Sequence, residues 1–192
     1  MESWQAEGRF VIVYTGALGH PNAIDVLVDA MQQLACREDG RKVACVIVGD
    51  GGLAKEYRAQ AADVGAIRFA GRVPKRQALW FVRHADAAYG GLRAYDDVFQ
   101  YGISPNKLLD YLVEGVPVVL PTKAYMDPVT ESGGGICVPD NDPAKVAEAI
   151  LALSRLSRAE REEMMERAKS YISQKFDYGR IAERYLNEIR GV

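Results

Sequence analysis

The stretch Ser104-Pro105-Asn106-Lys107-Leu108-Leu109-Asp110-Tyr111-Leu112-Val113-Glu114-Gly115-Val116-Pro117-Val118-Val119 holds the residue types and spacing best suited to chemistry. It reads as a helix start, a short amphipathic helix, a glycine stop and a buried strand. Ser104 suits the N-cap, Pro105 the first helical position and Gly115 the stop. Leu108, Leu109, Leu112 and Val113 form an apolar stripe for packing on a sheet. Lys107, Asp110 and Glu114 follow a three-then-four spacing and share the opposite face. A cation at a helix N-terminus, with a carboxylate one turn on, suits a ligand carrying phosphate beside a ribose diol. Ser104, Asn106 and Lys107 lie on the phosphate side, and Asp110 would accept hydrogen bonds from the diol. The same spacing also describes the solvated polar face of an ordinary helix, and geometry alone leaves both open.

The elements that must position this helix alternate almost without break. Arg9–Tyr14, Val43–Val48, Ala66–Ala70, Ala85–Tyr89, Val116–Leu120 and Gly135–Val138 read as strands. Between and after them, Ala23–Leu34, Leu53–Asp63, Lys75–Arg83, Pro143–Leu153, Arg158–Gln174 and Tyr178–Ile189 have helical spacing. This alternation predicts an α/β fold: a doubly wound, mostly parallel six-stranded sheet flanked by helices. Such sheets bind ligands outside the carboxyl ends of their strands. The segments to watch are therefore Thr15–Asn22, Gly49–Gly52, Gly71–Pro74, Gly90–Ser104 and Pro121–Gly134. In the first, Gly16 and Gly19 let the backbone approach a diphosphate, although a plain tight turn needs the same glycines. His20 can donate to a phosphate or a sugar hydroxyl, or sit exposed in the loop. Residues 1–8 (MESWQAEG) read as a linker, and 9–192 as one domain.

With 192 residues, 48% of them hydrophobic, the chain can bury a full core. A net charge of -2 gives no electrostatic reason to expect nucleic acid or an anionic membrane as the main partner. No apolar run is long enough to span a bilayer, and no signal peptide opens the sequence. Cys36, Cys45 and Cys137 are widely separated and odd in number, which fits a reduced, cytoplasmic protein without a metal site.

Pro105-Asn106-Lys107-Leu108-Leu109-Asp110-Tyr111 followed by Gly115-Val116-Pro117-Val118-Val119 resembles the nucleotide-sugar signature of family 4 glycosyltransferases. The likeness is to their bacterial polysaccharide-assembly branch and runs from Val11 to about Tyr185, in the order of the C-terminal, donor-binding half of a GT-B fold. It implies a retaining transferase moving a sugar from a nucleotide-diphosphate sugar to a glycan or lipid-linked acceptor. It further implies that no metal is needed and that membrane contact is at most peripheral. An acceptor-binding domain would normally precede the first strand. Its absence here implies an excised piece or a natural single module, with little or no transferase activity by itself. Lys107 would stabilise the departing diphosphate. Val48-Gly49-Asp50-Gly51 resembles a family turn in which Gly51 allows close approach to the donor, unless it is simply a left-handed turn. Phe69-Ala70-Gly71-Arg72-Val73-Pro74 resembles the segment bracketing the nucleobase, with Val73 and Pro74 as an apolar wall and Arg72 as a backbone edge. Glu131-Ser132-Gly133-Gly134-Gly135-Ile136 resembles a stretch read here as structural.

The sequence departs from the family at three points. Ala17 stands in the region of a phosphate-binding arginine, and Asn22-Ala23 where a Lys-Gly pair usually falls. Of two carboxylates eight residues apart, Asp110 fills the second position as a shortened substitute, while Gly102 stands at the first. Other readings are a non-catalytic nucleotide-sugar module, a nucleotide-sugar epimerase and an NAD-dependent domain. The last is disfavoured because Thr15-Gly16-Ala17-Leu18-Gly19 lacks the third glycine of a dinucleotide turn.

Overall fold

The computed structural model describes residues 1–93, 102, 103, 105–124 and 126–191. Six strands form one sheet: β1 (Phe10–Thr15), β2 (Val43–Val48), β3 (Ile67–Gly71), β4 (Ala87–Tyr89), β5 (Val118–Pro121) and β6 (Gly135–Val138). Their order is β3-β2-β1-β4-β5-β6, and every pairing is parallel. The chain direction across the sheet reverses beside β1, which places a switch point at the carboxyl ends of β1 and β4.

Among the described residues the helices are α1 (Glu2–Ala6), α2 (Ile24–Ala35), α3 (Ala54–Gln60), α4 (Lys75–Arg83), α5 (Asn106–Val113), α6 (Pro128–Ser132), α7 (Pro143–Arg155), α8 (Arg158–Lys175) and α9 (Tyr178–Arg190). Alternation along β1 and β2 divides the core between them. Phe10, Ile12, Tyr14, Cys45 and Ile47 pack with α2, α3 and α7, whereas Val11, Val13, Ala44, Val46 and Val48 pack with α1, α4, α5 and α8. Burial on both faces is why these strands are continuous apolar runs.

Val43–Val48, Gly135–Val138 and Lys75–Arg83 have the expected bounds, and the other expected elements shift at their ends. Two helices were not anticipated. Residues 2–6 form α1, whose Trp4 is buried against the sheet beneath the Arg68 guanidinium, so this segment packs as part of the domain. The short α6 begins at Pro128, with the Asp127 carboxylate accepting from the N–H groups of Val129 and Thr130. Tyr178 and Tyr185 are exposed as expected, at 89% and 68%.

Replacing Trp4 by Ala should destabilise the chain by about 3 kcal/mol, the cost of emptying a buried indole site. Denaturant unfolding measures it, and a loss below about 1 kcal/mol would show that α1 contributes no core packing.

Candidate functional site

A cavity of about 740 Å³ opens at the carboxyl ends of β1, β2 and β3, closed on one side by the first turns of α4 and α5. Thr15, Gly16 and Ala17 line it after β1, and Val48, Gly49, Asp50 and Gly51 line it from β2 and its turn. Arg72, Val73, Lys75 and Ala78 come from β3–α4, and Lys107 and Asp110 from α5. The cavity thus lies outside the carboxyl ends of the parallel strands, as such sheets predict, on the β3 side of the switch point.

Lys107 carries the strongest electrostatic signal. Its ammonium donates to Asn22 Oδ1 at 2.6 Å and to the Gly91 carbonyl at 2.7 Å, and lies 4.9 Å from the centre of the Tyr14 ring. Every one of these partners is neutral, and among the described residues no carboxylate pairs with it. Burial lowers its pKa to about 8, because the charged form loses water without gaining a counter-ion. The side chain is a cation at neutral pH that would gain from an anion in the cavity.

The loop after β1 is held by hydroxyls that the sequence did not advertise. Tyr14 donates to Ala17 O at 2.8 Å and Tyr89 to Ala23 O at 2.9 Å. The Tyr111 oxygen accepts from Thr15 N–H at 2.9 Å and lies 3.0 Å from Thr15 Oγ1. All three tyrosines are fully buried, and burial raises their pKa values, to about 12 for Tyr111. The loop continues through a 3₁₀ turn, His20–Asn22, and ends at Ala23. Ala23 has φ 47 and ψ 45, a left-handed conformation that costs a residue with a Cβ roughly 1 kcal/mol. Arg93 fastens the turn, its guanidinium donating to His20 O at 3.1 Å and to Asp25 Oδ1 at 2.5 Å.

Gly51 does approach its surroundings closely, but the neighbour is protein. A Cβ there would stand 2.5 Å from Leu18 O and 2.7 Å from Leu18 N. Leu18 N–H donates to Asp50 O at 2.9 Å and Leu53 N–H to Leu18 O at 3.0 Å, which zips the two loops together. Gly51 is also absent from the glycines with positive φ, so a left-handed turn does not account for it.

On α5 the structure corrects the expected cap. Pro105 has extended backbone and is the N-cap, so helix begins at Asn106 rather than Pro105; Ser104 lies outside the described residues. Val113 is 55% exposed, and Tyr111 takes its place on the buried stripe because its ring reaches under β1 to Thr15. Glu114 is turned away from the cavity: Arg83 of α4 holds both of its oxygens, at 2.5 and 2.8 Å. Asp110 does line the cavity, with its carboxylate accepting from Lys75 Nζ. Lys75 is the lining cation that sequence reading missed, since nothing in its local spacing marked it.

Of the expected site residues, the cavity brings together Gly16, Gly51, Arg72, Val73, Lys107 and Asp110. Gly19, His20, Pro74 and Asn106 are not on its wall. Gly19 precedes the 3₁₀ turn, Pro74 caps α4, and His20 and Asn106 are exposed. Glu131 is structural as expected, accepting from Tyr171 at 2.6 Å and Lys175 at 2.8 Å. Asp96, Asp97 and Tyr101 lie outside the described residues. One acidic pair escaped the sequence reading, Asp140 and Asp142 after β6. Asp142 caps α7 through Ala144 N–H at 2.9 Å, and Asp140 pairs with Lys145 at 2.9 Å.

The all-parallel sheet, its strand order and the cavity beyond β1–β3 define a Rossmann-like α/β domain, and its fold matches one half of GT-B glycosyltransferase structures. Residues 9–155 match the family model described as "Glycosyl transferases group 1", and the chain belongs to that family. No curated protein sequence matches the chain significantly. Among solved structures, HepE of Anabaena in complex with UDP aligns with TM-score 0.76 at 18% identity, covering 100% of this chain and 52% of HepE. A point mutant of TarM from S. aureus, in a complex that includes UDP, aligns with TM-score 0.75 at 14% identity, covering 93% of this chain and 35% of TarM. The C-terminal domain of the group 1 glycosyltransferase LpcC of Francisella tularensis aligns at 0.70 and 14% identity, covering 92% of each chain. The chain therefore spans about half or less of the two longer relatives. Among the described residues no helix is long and apolar enough to cross a membrane.

Burial of Lys107 gives stability a definite pH dependence. Its pKa falls from 10.5 to about 8 on folding, so between those values the unfolded chain binds more protons and stability rises with pH. Denaturant melts of wild type and Lys107→Met should diverge in the wild type's favour across that window, by roughly 1–3 kcal/mol. A difference that stays constant over the window would contradict this burial.

Proposed function

We propose that this chain is the donor-binding domain of a retaining glycosyltransferase that takes its sugar from a nucleotide-diphosphate sugar. The acceptor in this reading is a glycan or a lipid-linked glycan, engaged by a separate N-terminal domain at the inner face of a membrane. The observation that carries it is the Lys107 ammonium, buried beside a cavity with only neutral partners among the described residues. A diphosphate there would supply the missing counter-charge, and the same contact would strengthen as the departing diphosphate gains charge. This assigns leaving-group stabilisation to Lys107 and the α5 N-terminus rather than to a metal ion. Asp110, one turn on, would accept from the ribose diol, with Val73 against the base. UDP is the first nucleotide to test, because it is the one bound in HepE and TarM. By itself the chain would bind nucleotide and transfer little or no sugar.

A non-catalytic nucleotide-sugar module is the second reading, favoured by Gly102 at the position of the family's first carboxylate. Failure to regain transfer when supplied with a matching N-terminal half would select it.

Calorimetric titration of UDP, GDP, ADP and NAD tests the donor site. One nucleoside diphosphate should bind, weakened about ten- to a hundredfold by Lys107→Ala and about tenfold by Asp110→Ala. Binding of NAD alone, or diphosphate binding indifferent to both changes, would overturn it.

A further inference from the structure

We propose that Lys75 is a positioning residue for ribose recognition, acting by holding the Asp110 carboxylate at the cavity wall. This rests on the donor-site reading above and names a residue that neither the sequence nor the family resemblance pointed to.

The pair bridges two helices. Lys75 is the first residue of α4 and Asp110 lies in the middle of α5, and both side chains line the cavity. Lys75 Nζ donates to Asp110 Oδ2, and among the described residues no partner is shown for Oδ1. The carboxylate is therefore fixed through one oxygen and presents the other for a hydroxyl donor. An aspartate needs such fixing more than a paired acid in the core, because its carboxylate stays 33% exposed and water competes for it. The second bridge between the same helices, Arg83 to Glu114, keeps α4 and α5 in register so that Lys75 meets Asp110.

Charge gives Lys75 a second effect at the same place. Asp110 lies three residues from Lys107, so the two side chains are neighbours on one helix face. Without Lys75, the carboxylate that must accept from the ribose would also repel the adjoining phosphates. With Lys75 bound to Oδ2, the local charge is balanced and Lys107 keeps its attraction for the anion. Lys75 itself is 64% exposed, which allows substitution without opening the core.

The test is calorimetric titration of UDP into wild type, Lys75→Met, Lys75→Arg, Asp110→Asn and the Lys75→Met/Asp110→Asn double variant. GDP or ADP replaces UDP if it is the nucleotide that wild type binds. Lys75→Met should weaken binding by roughly fivefold, and Lys75→Arg should restore most of it. In the Asp110→Asn background, Lys75→Met should change affinity by less than about twofold, because Lys75 acts through that carboxylate. Wild-type affinity in Lys75→Met, or an equal loss with and without Asp110, would overturn the positioning role while leaving the donor site standing. A wild type that binds none of the three diphosphates would overturn the donor-site reading and this inference with it.

Discussion

A buried ammonium with no counter-ion among the described residues is the constraint around which this end of the molecule is arranged. Lys107 enters from the first turn of α5 and is satisfied by an amide oxygen, a backbone carbonyl and an aromatic face. None of these neutralises it, so the charge remains available to the cavity. The identity of the loop residues fits that state. The family resemblance places cations near positions 17 and 22, where this chain has Ala17 and Asn22. A second cation at 22 would repel Lys107, whereas Asn22 accepts from it.

Holding that charge in place requires a rigid loop, and the loop is built largely from backbone groups anchored by buried side chains. Tyr14, Tyr89 and Tyr111 reach it from two strands and a helix. The Gly49–Gly51 turn then presses against it so closely that a Cβ on Gly49 would lie 1.8 Å from Gly16 O. The left-handed Ala23, the single non-glycine residue with positive φ among those described, marks where this loop is forced to turn into α2. Such strain persists only where the surroundings over-determine the backbone. Preorganised donors of this kind lose little freedom when a ligand arrives, a property that electrostatic binding sites depend on.

Much of this was readable from the chain before any coordinates. Apolar runs closed by glycine located β1, β2 and β4, because strands buried on both faces admit few polar residues. The Pro-Asn-Lys-Leu-Leu-Asp helix disclosed Lys107 and Asp110 because a helix fixes which residues share a face. What escaped depends on contacts between segments distant in sequence. Lys75 meets Asp110 across 35 positions, Tyr111 meets Thr15 across 96, and Trp4 makes a core residue of a segment whose composition reads as a linker. Glu114 shows the converse failure: helical spacing placed it with Asp110, and only the neighbouring Arg83 reveals that it faces another helix. At Gly51 the family resemblance named the donor as the approaching group, and the packed neighbour that only the fold reveals is the Leu18 backbone.

The most direct measurement follows the Lys107 ammonium itself, through the ¹³Cε resonance of labelled lysine as pH is raised, assigned with Lys107→Arg. In the chain without nucleotide the resonance should titrate near pH 8, as its burial dictates. With saturating UDP its pKa should rise by about one unit or more, because a diphosphate supplies the missing counter-charge. Uridine, which lacks phosphate, should leave it unmoved. A Lys107 resonance that titrates identically with and without UDP, while UDP is bound, would contradict the assignment of Lys107 as the diphosphate ligand.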